Sequence, residues 1–135
     1  MAERIEKHRK GRGKEWSTVE EPTELGVKIK ELYDDSDVVV IDCITFWINN
    51  LLMRGDDNEA ISQRIDELAE TVAAAPNNLI IVTNEVGSGI VPANELTRNF
   101  RDLTGFANRK LAEACKRVVL MVAGIPMTIK DAEKE

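Results

Sequence analysis

Residues 38–43 read VVVIDC: three valines and an isoleucine in unbroken succession, then a carboxylate. A short, continuous, β-branched run of this kind is the pattern of a strand covered on both faces, as in a parallel sheet. Two further runs repeat it, LIIVTN at 79–84 and VVLMVAG at 118–124. Between them lie helical patterns. Residues 59–75 place Ile61, Ile65, Leu68 and Val72 on one stripe, and residues 96–116 do the same with Phe100, Leu103, Leu111 and Cys115. Strand and helix in alternation predict right-handed βαβ crossovers and a parallel sheet with strands near 37–42, 78–83 and 117–123. Residues 20–35 supply one more helix, with Thr23 as a plausible N-cap beside Pro22.

At 135 residues the chain, 1–135, reads as a single α/β domain large enough to bury a core. No run approaches the roughly 18 apolar residues of a membrane span, and the first residues are charged without a secretory apolar stretch. The expectation is a cytoplasmic protein. Cys43 and Cys115 lie in apolar segments without the spacing of a metal or redox pair and read as buried thiols. The net charge of −6 hides an asymmetry: residues 1–14 carry six Lys or Arg against Glu3 and Glu6, a local +4, which leaves −10 for the remainder. An acidic whole argues against a nucleic-acid-binding face and for a small phosphate-bearing ligand met by the basic arm.

Ligands of open parallel sheets bind beyond the carboxyl ends of the strands. Asp42 stands there after the first run, resembling the Walker B carboxylate that helps hold Mg²⁺ against nucleotide phosphates. After the second run comes TNEVGSGIVP, 83–92, polar and then glycine-rich. Taken alone, a carboxylate at Asp42 is more often a loop start or helix cap, and Gly87 and Gly89 are more often only turn residues needing positive φ. The one histidine, His8, sits among Arg4, Lys7, Arg9, Lys10, Arg12 and Lys14, ordinarily the mark of a solvated charged segment. Trp16 reads as a core anchor ahead of a base-stacking platform.

Four ordered segments alter that balance. RIEKHRKGRGKEW followed by TVEEP, then VVVIDCITFWINNLL, VTNEVGSGIVP, and RNFRDLTGFANRKLAEACKRVVLMVAGIPMTIK together resemble the bifunctional adenosylcobinamide kinase / adenosylcobinamide-phosphate guanylyltransferase family of cobalamin biosynthesis, over about residues 1–130. The resemblance implies an enzyme with a mainly parallel sheet of the P-loop nucleotide-binding, RecA-like type and flanking helices. It implies phosphorylation of adenosylcobinamide by GTP or ATP with Mg²⁺. It further implies transfer of GMP from GTP to adenosylcobinamide phosphate through a guanylyl-histidine. On this match His8 is the nucleophile; Arg9, Lys10, Gly11, Arg12, Glu20 and Asp42 are nucleotide contacts, with Asp42 also toward the metal. Homotrimeric assembly is implied as well.

Surrounding cations disfavour the imidazolium form, which suits a histidine that must attack phosphorus as the neutral base. The same cations would stabilise charge on pyrophosphate. One departure from the family pattern is marked: no G-x-x-x-x-G-K-[ST] occurs in the sequence. The expectation is a chain lacking the family's first strand and P-loop, whose isolated form transfers GMP poorly, with a non-catalytic subunit that pairs with a P-loop-bearing partner as the alternative.

Overall fold

The computed structural model describes residues 13–132. In chain order these form α1 (Leu25–Glu31), β1 (Val38–Asp42), α2 (Ile44–Arg54), α3 (Asn58–Ala73), β2 (Asn78–Val82), α4 (Glu95–Ala114), β3 (Arg117–Val122) and β4 (Ile125–Asp131). β1 and β2 pair in parallel, in register from Val38 opposite Asn78 to Asp42 opposite Val82. The architecture is thus mixed α/β, a parallel strand pair with flanking helices. Among the described residues no helix is long and apolar enough to cross a membrane.

The third expected strand departs from the reading. β3 belongs to a second two-stranded sheet, antiparallel with β4, and does not pair with β1 or β2. The antiparallel pairing has a local origin: Ala123 and Gly124 both take positive φ, 51° and 78°. Two such residues in succession make a tight hairpin turn whose twist suits antiparallel strands. The chain therefore folds straight back after Val122.

The core is made chiefly by three helices against β1. α2 buries Ile44, Trp47, Ile48 and Leu51, a spacing of three, four and seven that forms one helical face. It ends at Gly55, whose φ of 95° lets the amides of Gly55 and Asp56 turn back onto the carbonyls of Leu52 and Leu51. Ile61, Ile65 and Leu68 of α3 and Leu103, Ala107 and Leu111 of α4 complete the core with Val39 and Ile41 of β1. The stripes expected on α3 and α4 are the buried faces. Two threonines also enter this interior, Thr71 and Thr104, each returning its hydroxyl to the carbonyl four residues earlier, Glu67 at 2.8 Å and Phe100 at 2.7 Å. Burial without loss of hydrogen bonding is the result.

Caps fix where α3 and α4 start. Asp57 Oδ1 accepts from the Ala60 amide at 2.8 Å and Asn94 Oδ1 from the Thr97 amide at 2.7 Å. Thr23 is not the cap of α1; that position falls to Glu24, and Glu21 Oε1 accepts instead from the amides of Thr23 at 2.9 Å and Glu24 at 2.7 Å. Those two bonds hold the Glu21 carboxyl below the usual range. Nor is Trp16 a core anchor: it is 47% exposed, whereas Trp47 is 4% exposed and fills that role. Both cysteines are free and half-buried rather than fully enclosed, with burial pushing the Cys115 thiol upward.

Candidate functional site

The parallel register sets the ends of β1 and β2 side by side, Asp42 opposite Val82. Asp42 is exposed there. It does not cap the following helix: the N-cap of α2 is Cys43, with no side-chain capping bond. Asp42 stands at the strand end beyond which open α/β sheets receive ligands.

Beyond Val82 the chain is fastened on two sides. Thr45, in the first turn of α2, accepts at Oγ1 from the Asn84 amide at 3.0 Å and from Asn84 Nδ2 at 3.2 Å. From α4, Asn108 accepts from Thr83 Oγ1 at 2.7 Å and donates through Nδ2 to the Asn84 carbonyl at 3.1 Å. Farther along, Glu85 Oε1 accepts from the Gly87 amide at 2.7 Å. Arg101 donates to the Gly87 carbonyl, and Arg98 to the carbonyls of Pro92 at 3.1 Å and Ala93 at 2.6 Å. A glycine-rich loop is thus held at its start by α2 and along its length by α4. Positive φ plays no part at Gly87 or Gly89; it occurs at Gly55 and Gly124.

The segment leading into α1 lies along α2. Trp47 Nε1 donates to the Thr23 carbonyl at 2.8 Å and Asn50 Nδ2 to the Pro22 carbonyl at 3.1 Å. Glu24 joins Arg54 at 3.2 Å and Arg64 of α3 at 3.0 Å, and Arg54 also pairs with Asp56. Hydrogen bonds from Arg64 first and Arg54 second hold the Glu24 carboxyl low, and Arg54 does the same for Asp56. Glu20 is exposed on this segment, two residues before Pro22. His8, Arg9, Lys10, Gly11 and Arg12 lie outside the described residues.

Sequence reasoning reached Asp42 and the loop but not Thr45, Asn108 or Arg101. The usable signal for Thr45 was its place three residues after Asp42. For the two α4 residues it was the helical stripe, whose polar neighbours turn out to face the loop. Among the described residues no three His, Cys, Asp or Glu side chains cluster as metal ligands. A lone exposed carboxylate nonetheless suits Mg²⁺, which takes one or two carboxylates and fills its shell with water and substrate phosphates.

A parallel strand pair joined by helices, with a carboxylate and a pinned polar loop at adjacent strand ends, defines an α/β protein, a class whose open sheets receive ligands at that end. The chain belongs to the family described as cobinamide kinase / cobinamide phosphate guanyltransferase, which it matches over residues 1–129. It is 41% identical to the bifunctional adenosylcobalamin biosynthesis protein CobU of Escherichia coli, over 96% of this chain and 78% of that protein. It is 37% identical to the bifunctional adenosylcobalamin biosynthesis protein CobP of Pseudomonas aeruginosa, over 96% of this chain and 75% of the relative. The family reached from the four ordered motifs is the family matched.

Proposed function

We propose that the chain serves cobalamin biosynthesis as an adenosylcobinamide kinase and adenosylcobinamide-phosphate guanylyltransferase. Membership of the family supports the pathway, and the observation that carries the chemistry is the juxtaposition of Asp42 with the pinned 83–94 loop at the ends of two parallel strands. In the transfer, a ring nitrogen of neutral His8 attacks the α-phosphorus of GTP. The bond from that phosphorus to the bridging oxygen breaks, and pyrophosphate leaves. A phosphate oxygen of adenosylcobinamide phosphate then attacks the same phosphorus, the P–N bond breaks, and adenosyl-GDP-cobinamide is released with the histidine restored. Arg9, Lys10 and Arg12 offset charge on the phosphates, Gly11 admits close backbone approach, and Glu20 and Asp42 contact the nucleotide. Mg²⁺, when bound, supplies charge neutralisation at the phosphates, and Asp42 would hold it. The kinase step needs no protein nucleophile, only positioned phosphates, metal and a base.

A second reading, a subunit completed by a P-loop-bearing partner, is favoured by exposed apolar side chains on parallel strands that such sheets ordinarily cover: Val40 of β1 is 41% exposed and Ile80 of β2 53%. One experiment weighs both. Purified chain is incubated with GTP and Mg²⁺, alone and with the family's P-loop segment supplied on a partner, and its intact mass is measured. Weak labelling alone and strong labelling with the partner is the expected result. No GMP adduct in either condition would remove the transfer reading.

A further inference from the structure

The loop that leaves β2 runs along α4, bonded by Asn108 at Thr83 and Asn84, by Arg101 at Gly87 and by Arg98 at Pro92 and Ala93. At about 1.5 Å per residue, Arg101 and Arg98 stand about 10 and 15 Å along the helix from Asn108, the residue at the strand end. Arg98 spends only Nη1 on its two carbonyls, at 3.1 and 2.6 Å, and Arg101 only Nη2 on its one. Each keeps Nε and a second terminal nitrogen as donors. Among the described residues neither is paired with a carboxylate, whereas Arg54 and Arg64 share Glu24 and Asp56. Two positive charges a helical turn apart, fixed by the loop's carbonyls, are left to meet an anion, and their free N–H groups form the fork that fits phosphate.

The surroundings describe the rest of the ligand. Ile90, Val91 and Leu96 are 97%, 66% and 59% exposed, apolar surface on and beside a loop that is otherwise bonded down. An open hollow of about 750 Å³ lies at the start of α4, lined by Asn58, Glu95, Leu96, Arg98, Asn99 and Asp102. Asn58 and Asn99 exchange amide hydrogen bonds there at 2.8 and 2.7 Å, which leaves one amide N–H on each. Glu95 and Asp102 disfavour an anion inside the hollow, so phosphate belongs on the Arg101 side and the hollow suits an uncharged, amide-bearing body. We propose that Arg98 and Arg101 form a phosphate site for the acceptor substrate, holding the phosphate monoester of adenosylcobinamide phosphate. This rests on the guanylyltransferase reading given above, in which the nucleotide phosphates lie at Asp42 and the acceptor brings a second anionic group.

The whole chain and the variants Arg98→Ala, Arg101→Ala and Arg101→Lys, which keeps the charge but loses the fork, are titrated with adenosylcobinamide, adenosylcobinamide phosphate and Mg²⁺-GTP. The quantity read is the ratio of the two corrinoid affinities, in which any loosening of the loop cancels because it weakens both alike. Wild type is expected to favour the phosphorylated corrinoid by roughly a hundredfold, about tenfold for each charge-assisted contact. Each alanine variant should lose about tenfold of that ratio, and Arg101→Lys less. A ratio unmoved in both alanine variants overturns the site; if Mg²⁺-GTP binding weakens instead, the arginines serve the nucleotide. Wild type that binds both corrinoids equally overturns the site and leaves the guanylyltransferase reading standing. Wild type that binds neither corrinoid removes that reading, and the site with it.

Discussion

Replacing Asn108 by Ala cuts the tie between α4 and the end of β2, and the cost can be worked from two hydrogen bonds. Asn108 accepts from Thr83 Oγ1 at 2.7 Å and donates to the Asn84 carbonyl at 3.1 Å. Each is worth about 1 kcal/mol net, and because the site is partly wet, water replaces some of the loss. A local penalty of about 1 to 1.5 kcal/mol follows. If the loop opens as a unit below the global unfolding free energy, its amides should exchange about five to fifteen times faster. The reporters are the amides of Asn84 and Gly87, bonded to Thr45 and Glu85 respectively. Hydrogen exchange read by NMR gives the rates, and a thermal scan gives the global effect, expected to be within a few degrees. Asn108→Asp keeps the acceptor for Thr83 but sets a carboxylate against the Asn84 carbonyl, so it should loosen the loop at least as much. Unchanged exchange at both amides would refute the idea that α4 holds this loop; a Tm loss above about 10 °C would show Asn108 to be a general prop of the fold.

Other expectations are briefer. Ile48→Ala removes a fully buried side chain from α2 and should cost about 2 to 5 kcal/mol by denaturant unfolding, while Phe46→Ala on the exposed side of the same helix should stay within about 0.5. Asp42→Asn should weaken Mg²⁺-dependent GTP binding in calorimetry and leave Tm within a few degrees, since the carboxylate is exposed and caps nothing. Glu21, Glu24 and Asp56 all have carboxyls held low in the folded protein, so their contribution is fully present above the ordinary carboxylate range of about 4 and is lost as pH falls through the lower folded values. Protection of the Thr23 and Glu24 amides, taken relative to the intrinsic exchange rate at each pH, should therefore fall in acid before that of the core amides of α2.

The sequence disclosed what repeats with a period and concealed what depends on distant partners. β1 and β2 were legible because their apolar runs are unbroken, and α3 and α4 because Ile61, Ile65, Leu68, Leu103 and Leu111 keep a helical spacing. α2 carries the same spacing at Ile44, Trp47, Ile48 and Leu51, but the apolar run VVVIDC immediately before it continues into the helix and obscures the change of period. β4 went unread although Ala123 and Gly124 sit between two apolar runs, a two-residue hairpin signal; Pro126, which removes an amide from the ladder, is tolerated near the turn. Thr23 lost the cap of α1 to Glu24 because Glu21, two residues earlier, satisfies the local amides first. The position of Asp42 at the end of β1 was legible from its place after four aliphatics. Thr45 and Asn108 were not, since their partners lie 39 and 24 or 25 residues away and only the folded sheet brings them together.

The most direct test of the account is the identity of the residue that carries GMP. The chain, with the family's P-loop segment supplied, is incubated with GTP and Mg²⁺, digested, and mapped by mass spectrometry under alkaline conditions, which spare a nitrogen–phosphorus bond that acid would break. The account predicts a GMP adduct on the peptide containing His8, abolished in His8→Ala while phosphorylation of adenosylcobinamide falls less. GMP on another residue, or equal labelling of the His8→Ala variant, would contradict it.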